Sequence, residues 1–307
     1  MTMLEQLREI LDEERVLPDE PMKFHTTFRV GGPARYLVEP QSVPELHAVI
    51  DLCHTQKMPW YIVGNGSNLL VSDEGYDGVV IHLFRNVSGM RAEETRLVLQ
   101  AGVQTVRAAK FALEHSLTGL EFASGIPGTI GGAMVMNAGA YGGEMKDVVR
   151  RVRVLLPDGT EQNYSGDEMQ FGYRRSRVAA EGGIVLEAEL ELAEGESESI
   201  RARMEELKQK RLAKQPLEYP SAGSTFKRPE GYFAGKLIED AQLRGFRVGG
   251  AQVSEKHCGF VINRGDATAS QIWELIGEVQ RRVYEQSGVR LEPEVKLLGF
   301  GEKERRL

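Results

Sequence analysis

The chain has 307 residues, 41% of them hydrophobic and 27% charged, with a net charge of −7 and a pI near 5.6. That length allows two or three domains with sizeable cores, and the acidic balance gives no sign of a nucleic-acid footprint, which would need a basic face. Cys53 and Cys258 form neither a CxxC pair nor a disulfide framework, so a reducing compartment is expected. The six histidines are not spaced as metal ligands, so no metal is expected.

The N-terminal run MTMLEQLREILDEERV is acidic and amphipathic, and Leu4–Val16 reads as a helix with Leu4, Leu7, Ile10 and Leu11 on one face. It lacks the basic start, apolar run and small-residue cleavage site of a signal peptide. No segment approaches the ~18 apolar residues of a membrane span. A cytoplasmic protein with no membrane association is expected. The segment from His25 to Arg35 reads as an apolar strand broken by Gly31, Gly32 and Pro33. Ser42 and Glu45 have capping-box spacing and open a helix whose apolar face is Leu46, Val49, Ile50 and Cys53. Trp60–Val63 is a buried strand, then comes the loop Gly64-Asn65-Gly66-Ser67-Asn68, then the apolar run Leu69–Val71. This loop is no Rossmann turn: Leu69 stands where the third glycine belongs, and a strand pattern follows instead of a helix. Its glycine N–H groups, Ser67 and two asparagines suit either phosphate or a plain hairpin.

Leu97–Ala101 reads as a strand and Thr105–His115 as a helix. The strand pattern Val149–Leu155 is turned by Pro157, Asp158 and Gly159 into Glu161–Tyr164, and Ile184–Leu192 is a further strand. Ile200–Lys214 is a strongly charged helix. Thr268 and Gln271 have capping-box spacing before the helix Ser270–Gln286, which Gly288 ends. The domain boundaries read as 1–83, 84–214 and 215–295, with 296–307 as a tail.

The chain is organised around Ser124–Gly143, SGIPGTIGGAMVMNAGAYGG, in which seven of twenty residues are glycine and none is charged. An interior glycine costs about 1 kcal/mol in a helix, so an ordinary helix is not expected. The apolar residues Ile126, Ile130, Met134, Val135 and Met136 argue against a disordered linker. A backbone approached closely by another group remains, and pyrophosphate is a group that needs bare N–H donors. Tight packing between elements is the bland alternative. Three further islands stand out: Phe171–Ser176 (FGYRRS), the loop Tyr219–Pro229 (YPSAGSTFKRP), and Leu291–Val295 (LEPEV).

Taken in order, GNGSN, GIPGTIGGAMVMNAGAYGG, FGYRRS, SAGSTFKRP with GYFAGKLIEDA, and LEPEV resemble the UDP-N-acetylenolpyruvoylglucosamine reductase family over residues 23–299. Each motif is weak alone; five in matching order are specific. The resemblance implies an α+β fold: a two-subdomain FAD-binding module of the vanillyl-alcohol-oxidase type over residues 1–83 and 84–214, plus a smaller α+β substrate domain over 215–295. It implies non-covalent FAD, with NADPH as co-substrate and a UDP-sugar as substrate, and no obligate protein partner. NADPH would reduce the flavin, which would then reduce the vinyl CH2 of the enolpyruvyl ether in peptidoglycan precursor synthesis.

Carried over residue by residue, Arg174 and Glu294 stabilise the enolate and Ser224 is the proton donor. Gly64, Asn65, Gly66, Ser67, Asn68 and Leu69 contact the flavin, as do Ile126, Gly128, Thr129, Gly132, Ala133 and Gly139, and Arg211 meets the flavin phosphate. Lys227, Arg228 and Lys236 would bind the diphosphate. The residue types suit the reaction: charge developing on a carboxylate needs a fixed cation in a dry site, and an arginine fork matches it. A serine donates only to a strongly basic carbon, so a relay behind Ser224 is expected. Between Arg174 and Ser224 the chain is too short for the tyrosine lid of one subgroup, so the other subgroup is implied. His257 reads either as lining the site or as a packed surface histidine. Two rivals stand beside this reading: a flavin-dependent alcohol oxidase of the same fold, and a non-catalytic nucleotide-sugar sensor.

Overall fold

Alternating valine and arginine build the largest sheet. In Val149–Leu155, Val152 and Val154 are buried, while Arg151 and Arg153 face outward. Arg151 lies directly opposite Glu189 on the neighbouring strand, and the two side chains meet at 2.7 Å. Arg150 reaches Glu191 at 3.0 Å and Arg153 reaches Glu161 at 2.6 Å, so one face is a charge ladder and the other is core. The five strands run Glu161–Ser165, Val149–Leu155, Ile184–Glu191, Arg96–Gln100 and Met90–Glu93 across the sheet, each antiparallel to its neighbour.

In the computed structural model, which describes residues 1–84 and 86–301, this sheet belongs to the first of two compact units. Unit 1 comprises Met1–Leu17, Leu37–Asn65 and Val79–Arg211; unit 2 comprises Pro18–Tyr36, Gly66–Gly78 and Leu212–Leu307. Of the expected tail 296–307, residues 302–307 lie outside the described residues.

Unit 1 opens with α1 (Met3–Ile10), capped by a full capping box from Thr2 and Glu5. The expected helix to Val16 stops at Ile10, and Val16 already begins a strand. Three acidic residues, Asp12, Glu13 and Glu14, would crowd the negative end of a longer helix. Arg15 instead pairs with Asp12 at 3.0 Å and Glu45 at 2.5 Å. Helix α2 (Val43–Thr55) has Ser42 as its N-cap and buries Leu46, Val49, Ile50 and Cys53, the expected face. Of the expected capping box only the Ser42 half forms: the Glu45 carboxylate takes Arg15 and the Gln41 N–H. Strand Trp60–Val63 pairs in parallel with Val79–His82. Helices α3 (Thr105–Glu114), α4 (Ile130–Met136) and α5 (Arg177–Glu181) follow, then α6 (Ser197–Lys214), which begins three residues before the expected Ile200.

In unit 2 the region expected as a strand from His25 is irregular up to Gly32, and the strand begins at Pro33. Gly31 has φ +122°, and a Cβ at Gly32 would lie 2.1 Å from the Asp73 carbonyl, so that backbone is folded tightly against its neighbours. Strands Leu69–Val71 and Lys296–Leu298 pair in parallel. Helices α7 (Ala234–Asp240) and α8 (Ala269–Ser287) complete the unit. Helix α8 packs on a three-stranded sheet of Arg247–Val248, Ala251–Val253 and Val261–Asn263. Its buried face includes Ile272, Leu275, Ile276, Val279 and Val283, and Thr268, Gln271 and Gly288 cap it as expected. Among the described residues, no helix is long and apolar enough to cross a membrane.

Candidate active site

Two loops expected at a flavin meet in unit 1. The Asn65 side-chain amide donates to the Pro127 carbonyl, and a Cβ at Gly64 would lie 2.4 Å from Thr129 Oγ1. Thr129 is buried and caps α4, accepting from the Gly132 N–H at 3.4 Å. The glycine-rich segment thus contains a seven-residue helix, against expectation. The helix is tolerated because its glycines serve close packing: a Cβ at Gly131 would lie 3.1 Å from Ala101 Cβ. Protein also crowds Gly125, Gly139 and Gly143, whereas Gly132 is exposed and its missing Cβ has no nearer neighbour than Thr129 Oγ1 at 3.7 Å.

The first N–H groups of α4 are used within the protein. Ile130 donates to Val103 O at 2.8 Å, Gly131 to Ala101 O at 2.9 Å, and Gly132 to Thr129. Close approach and anion donors, which the sequence suggested together, are therefore separate here. A cation of this region is Arg211, whose Cδ would lie 3.1 Å from a Cβ at Gly125. Burial pushes its guanidinium below the ordinary value, with Tyr141 acting in the opposite sense. A half-buried cation beside a bare glycine backbone suits an anionic dinucleotide.

Arg174 sits at the tip of a two-residue hairpin in unit 1. Gly172 N–H donates to Arg175 O at 3.1 Å, and Arg175 N–H returns to Gly172 O at 3.2 Å. Tyr173 and Arg174 form the turn, and Arg174 has φ +55°, as at the second central position of a type II turn. A non-glycine residue there costs about 1–3 kcal/mol of strain. The arginine is half-buried, and its guanidinium carbon lies 5.4 Å from the centre of the Tyr173 ring.

Unit 2 brings together the other half of the Gly64–Asn68 loop, Ser224 and Glu294. Glu294 N–H donates to Thr225 O at 2.8 Å, Lys227 N–H to Glu292 O at 2.8 Å, and Phe226 bridges Pro293. Ser224 and Glu294 therefore lie on paired extended segments. Thr225 is fully buried: its N–H donates to Gly259 O and its hydroxyl accepts from Val261 N–H, both at 2.9 Å. It fixes the backbone beside Ser224, which itself is exposed and follows Gly223 at φ +74°. Asn68 donates to Glu294 O at 3.2 Å, and Lys296 N–H donates to Asn68 O at 2.9 Å. Leu69 opens the strand paired with Lys296–Leu298. Gly66 has φ +57°, and a Cβ there would lie 2.1 Å from His25 O.

The three cations expected at a diphosphate are each engaged. Lys227 pairs with Glu292, Lys236 pairs with Asp240 at 2.5 Å, and Arg228 lies 4.1 Å over the Phe233 ring. Exposed pairs of this kind are worth about 0–1 kcal/mol, so a diphosphate could displace the carboxylates. His257 Nδ1 accepts from Gly259 N–H at 3.1 Å, and its ring meets Phe260 edge-on at 5.0 Å. Burial lowers its pKa, and Lys214 and Arg244 act the same way. Among the described residues, no group of His, Cys, Asp or Glu could hold a metal ion.

Two residues that the sequence analysis did not single out as functional organise these segments. Asn137 ends α4 at φ +42°, the left-handed cap that an asparagine after an apolar helical run could have signalled. Asp73 caps α8 through Ala269 N–H at 2.7 Å and Ser270 N–H at 2.9 Å, a long-range contact with no local signal.

A family profile for an FAD binding domain matches residues 34–165, and one for the UDP-N-acetylenolpyruvoylglucosamine reductase C-terminal domain matches residues 215–298. The UDP-N-acetylenolpyruvoylglucosamine reductase of Clostridioides difficile is 51% identical over 95% of this chain and 96% of its own. That of Lachnoclostridium phytofermentans is 52% identical over 97% of each. The crystal structure of UDP-N-acetylenolpyruvylglucosamine reductase from Thermus caldophilus aligns with a TM-score of 0.75 at 36% identity, covering 92% of this chain and 98% of that one. An alkyldihydroxyacetonephosphate synthase at 17% identity and a TM-score of 0.50, over 62% of this chain and 40% of its own, shares the fold alone.

Proposed function

This chain belongs to the UDP-N-acetylenolpyruvoylglucosamine reductase family, and from that membership we propose how its own residues carry out the reaction. It is an FAD-containing oxidoreductase that reduces the enolpyruvyl ether of UDP-N-acetylglucosamine in peptidoglycan precursor synthesis. Its fold is α+β, an FAD-binding module of the vanillyl-alcohol-oxidase type followed by the family's C-terminal domain. We assign flavin binding to residues 1–214, substrate binding to 215–295, and the working compartment to the cytoplasm.

NADPH is taken as the reductant: the vinyl CH2=C(OR)COO⁻ gains two electrons and two protons, becoming CH3–CH(OR)COO⁻ as NADPH and a proton become NADP⁺. Bound non-covalently, FAD supplies the two-electron relay between the two. Gly64, Asn65, Ile126, Gly128, Thr129, Gly132, Ala133 and Gly139 would hold it in unit 1, with Arg211 on its phosphate. The meeting of Gly64 with Thr129 and the half-buried guanidinium beside Gly125 support that assignment. Gly66, Ser67, Asn68 and Leu69 are likewise assigned to the flavin.

Arg174 would bind the substrate carboxylate and hold the negative charge that develops there, a task for a planar, permanently charged fork. Ser224 would give a proton to the carbon bearing that carboxylate, and Glu294 would orient the charge. The backbone pairing of Thr225 with Glu294 supports a shared role for Ser224 and Glu294. Lys227, Arg228 and Lys236 would take the diphosphate.

The single observation carrying this reading is identity near 51% across 95% of the chain. Its test is a visible spectrum under anaerobic conditions. NADPH is expected to bleach the flavin band, and the enolpyruvyl sugar-nucleotide to restore it. Return of colour only on admitting oxygen would make the chain an oxidase instead. Flavin remaining with acid-precipitated protein would overturn non-covalent binding.

A further inference from the structure

We propose that Asn137 is a positioning residue for Arg174: its side-chain amide holds the hairpin that carries the arginine, through the carbonyl of Gly172. The inference rests on reading Arg174 as the group that meets the substrate carboxylate.

Asn137 is buried and stands at the C-terminal end of α4 with φ +42° and ψ +58°. That backbone region admits glycine, asparagine and aspartate at least strain. The side chain then makes three polar contacts. Nδ2 donates to the Glu144 carboxylate and to Gly172 O at 3.3 Å, while Oδ1 accepts from Lys146 N–H at 3.0 Å. The partners fix the orientation of the amide, because a backbone N–H can only donate and a carbonyl can only accept. Glycine would keep the backbone and lose all three bonds. Aspartate would set a carboxylate against both Glu144 and the Gly172 carbonyl. Asparagine alone meets both requirements.

Gly172 O is the carbonyl that also closes the hairpin, accepting from Arg175 N–H. On the far side, Ser176 is buried and donates through Oγ to Val135 O at 2.8 Å, while its Oγ accepts from Ala179 N–H to cap α5. The five-residue span from Gly172 to Ser176 is therefore pinned at both ends to the last turn of one short helix. Between the pins Arg174 is held in a left-handed conformation that a free loop would relax. The beginning of that same helix, Thr129 with Gly132, belongs to the segment assigned to the flavin. One rigid element thus sets the position of both the assigned flavin contacts and the arginine.

The test is a double-mutant cycle on the holoenzyme with Asn137→Gly, Arg174→Ala and the pair, following the two half-reactions separately in anaerobic single turnovers. Asn137→Gly is expected to leave reduction by NADPH within about twofold of wild type and to slow reoxidation by the enolpyruvyl sugar-nucleotide about tenfold or more. In the Arg174→Ala background the same change should slow reoxidation by less than about twofold, because the two residues act as one unit. Hydrogen exchange should rise about tenfold in the peptide over residues 170–177 and not in α8. Should Asn137→Gly fail to fold, Ser176→Ala removes the other pin and enters the same cycle with the same expected pattern. Equal slowing in both backgrounds, with Arg174→Ala itself slow, would overturn the positioning role alone. Wild-type reoxidation by Arg174→Ala would overturn the assignment of the arginine as well.

Discussion

The side-chain amide of Asn68 donates to the backbone carbonyl of Glu294 across 3.2 Å, although 226 residues separate them. The bond ties a residue assigned to the flavin to one assigned to the substrate, and it runs to the backbone, so it fixes where the Glu294 side chain starts. Replacing Asn68 by alanine leaves a carbonyl short of a partner, which costs about 1 kcal/mol. Asn68→Ala is expected to lower the urea midpoint accordingly and to lower kcat more than it raises KM for NADPH. An unchanged midpoint would show that water replaces the amide without loss.

Ser224 is expected to act in only one half of the cycle. Ser224→Ala should leave anaerobic bleaching by NADPH intact and slow recovery with the enolpyruvyl substrate by about 10²-fold or more. The paired backbone between Thr225 and Glu294 does not depend on the serine hydroxyl, so thermal stability should be unchanged. A variant that recovers colour at the wild-type rate would remove Ser224 from proton transfer.

Gly132 separates packing from ligand approach. It is exposed inside α4, and an added Cβ meets nothing closer than 3.7 Å. In flavin-free protein Gly132→Ala should be neutral or stabilising by up to about 1 kcal/mol, from helix propensity alone. If the flavin approaches this backbone closely, the same variant should bind FAD more weakly. Stability and flavin affinity rising together would move the cofactor away from Gly132. Gly131→Ala is the contrast, since its Cβ would meet Ala101 and should destabilise with or without flavin.

His257 gives a pH dependence of definite sign. Its folded pKa is lowered, so folding disfavours the imidazolium form. The stability it contributes is complete above the unfolded value near 6.5 and is lost as pH falls through that value toward the folded one. Wild type should therefore lose more stability than His257→Gln between about pH 7.5 and pH 5.5. Glu278, held at about 2 by Arg281 and Arg282, loses its contribution only at lower pH and does not obscure the window. Parallel losses in the two proteins would contradict the burial argument.

Periodicity and capping made α8 legible almost to the residue, because its apolar stripe, Thr268, Gln271 and Gly288 all act within one segment. The valine–arginine alternation of Val149–Leu155 was legible for the same reason. The end of α1 was not, since Arg15 is drawn off by Glu45, thirty residues on. Asp73 at the start of α8 was invisible for the same physical cause: nothing local marks a cap supplied from 196 residues away. The glycine-rich segment was half legible. Its closeness to other groups was readable from composition, but the neighbours at Gly131, Gly139 and Gly143 are protein. The motifs named Arg174, Ser224 and Glu294, but not the supports: Asn137 and Thr225 act through backbone partners that only the folded chain brings to them.

The parallel pairing of Leu69–Val71 with Lys296–Leu298 carries a consequence for how the protein is made. On the ribosome Leu69, Leu70 and Val71 emerge more than two hundred residues before their partner strand, and all three are destined to be buried. Until Lys296–Leu298 arrives, one edge of a short apolar strand stands bare, a shape that invites pairing with other chains. A transcript truncated before residue 296 would leave that edge bare for good, so chains cut short there should be found in inclusion bodies or taken by chaperones and proteases.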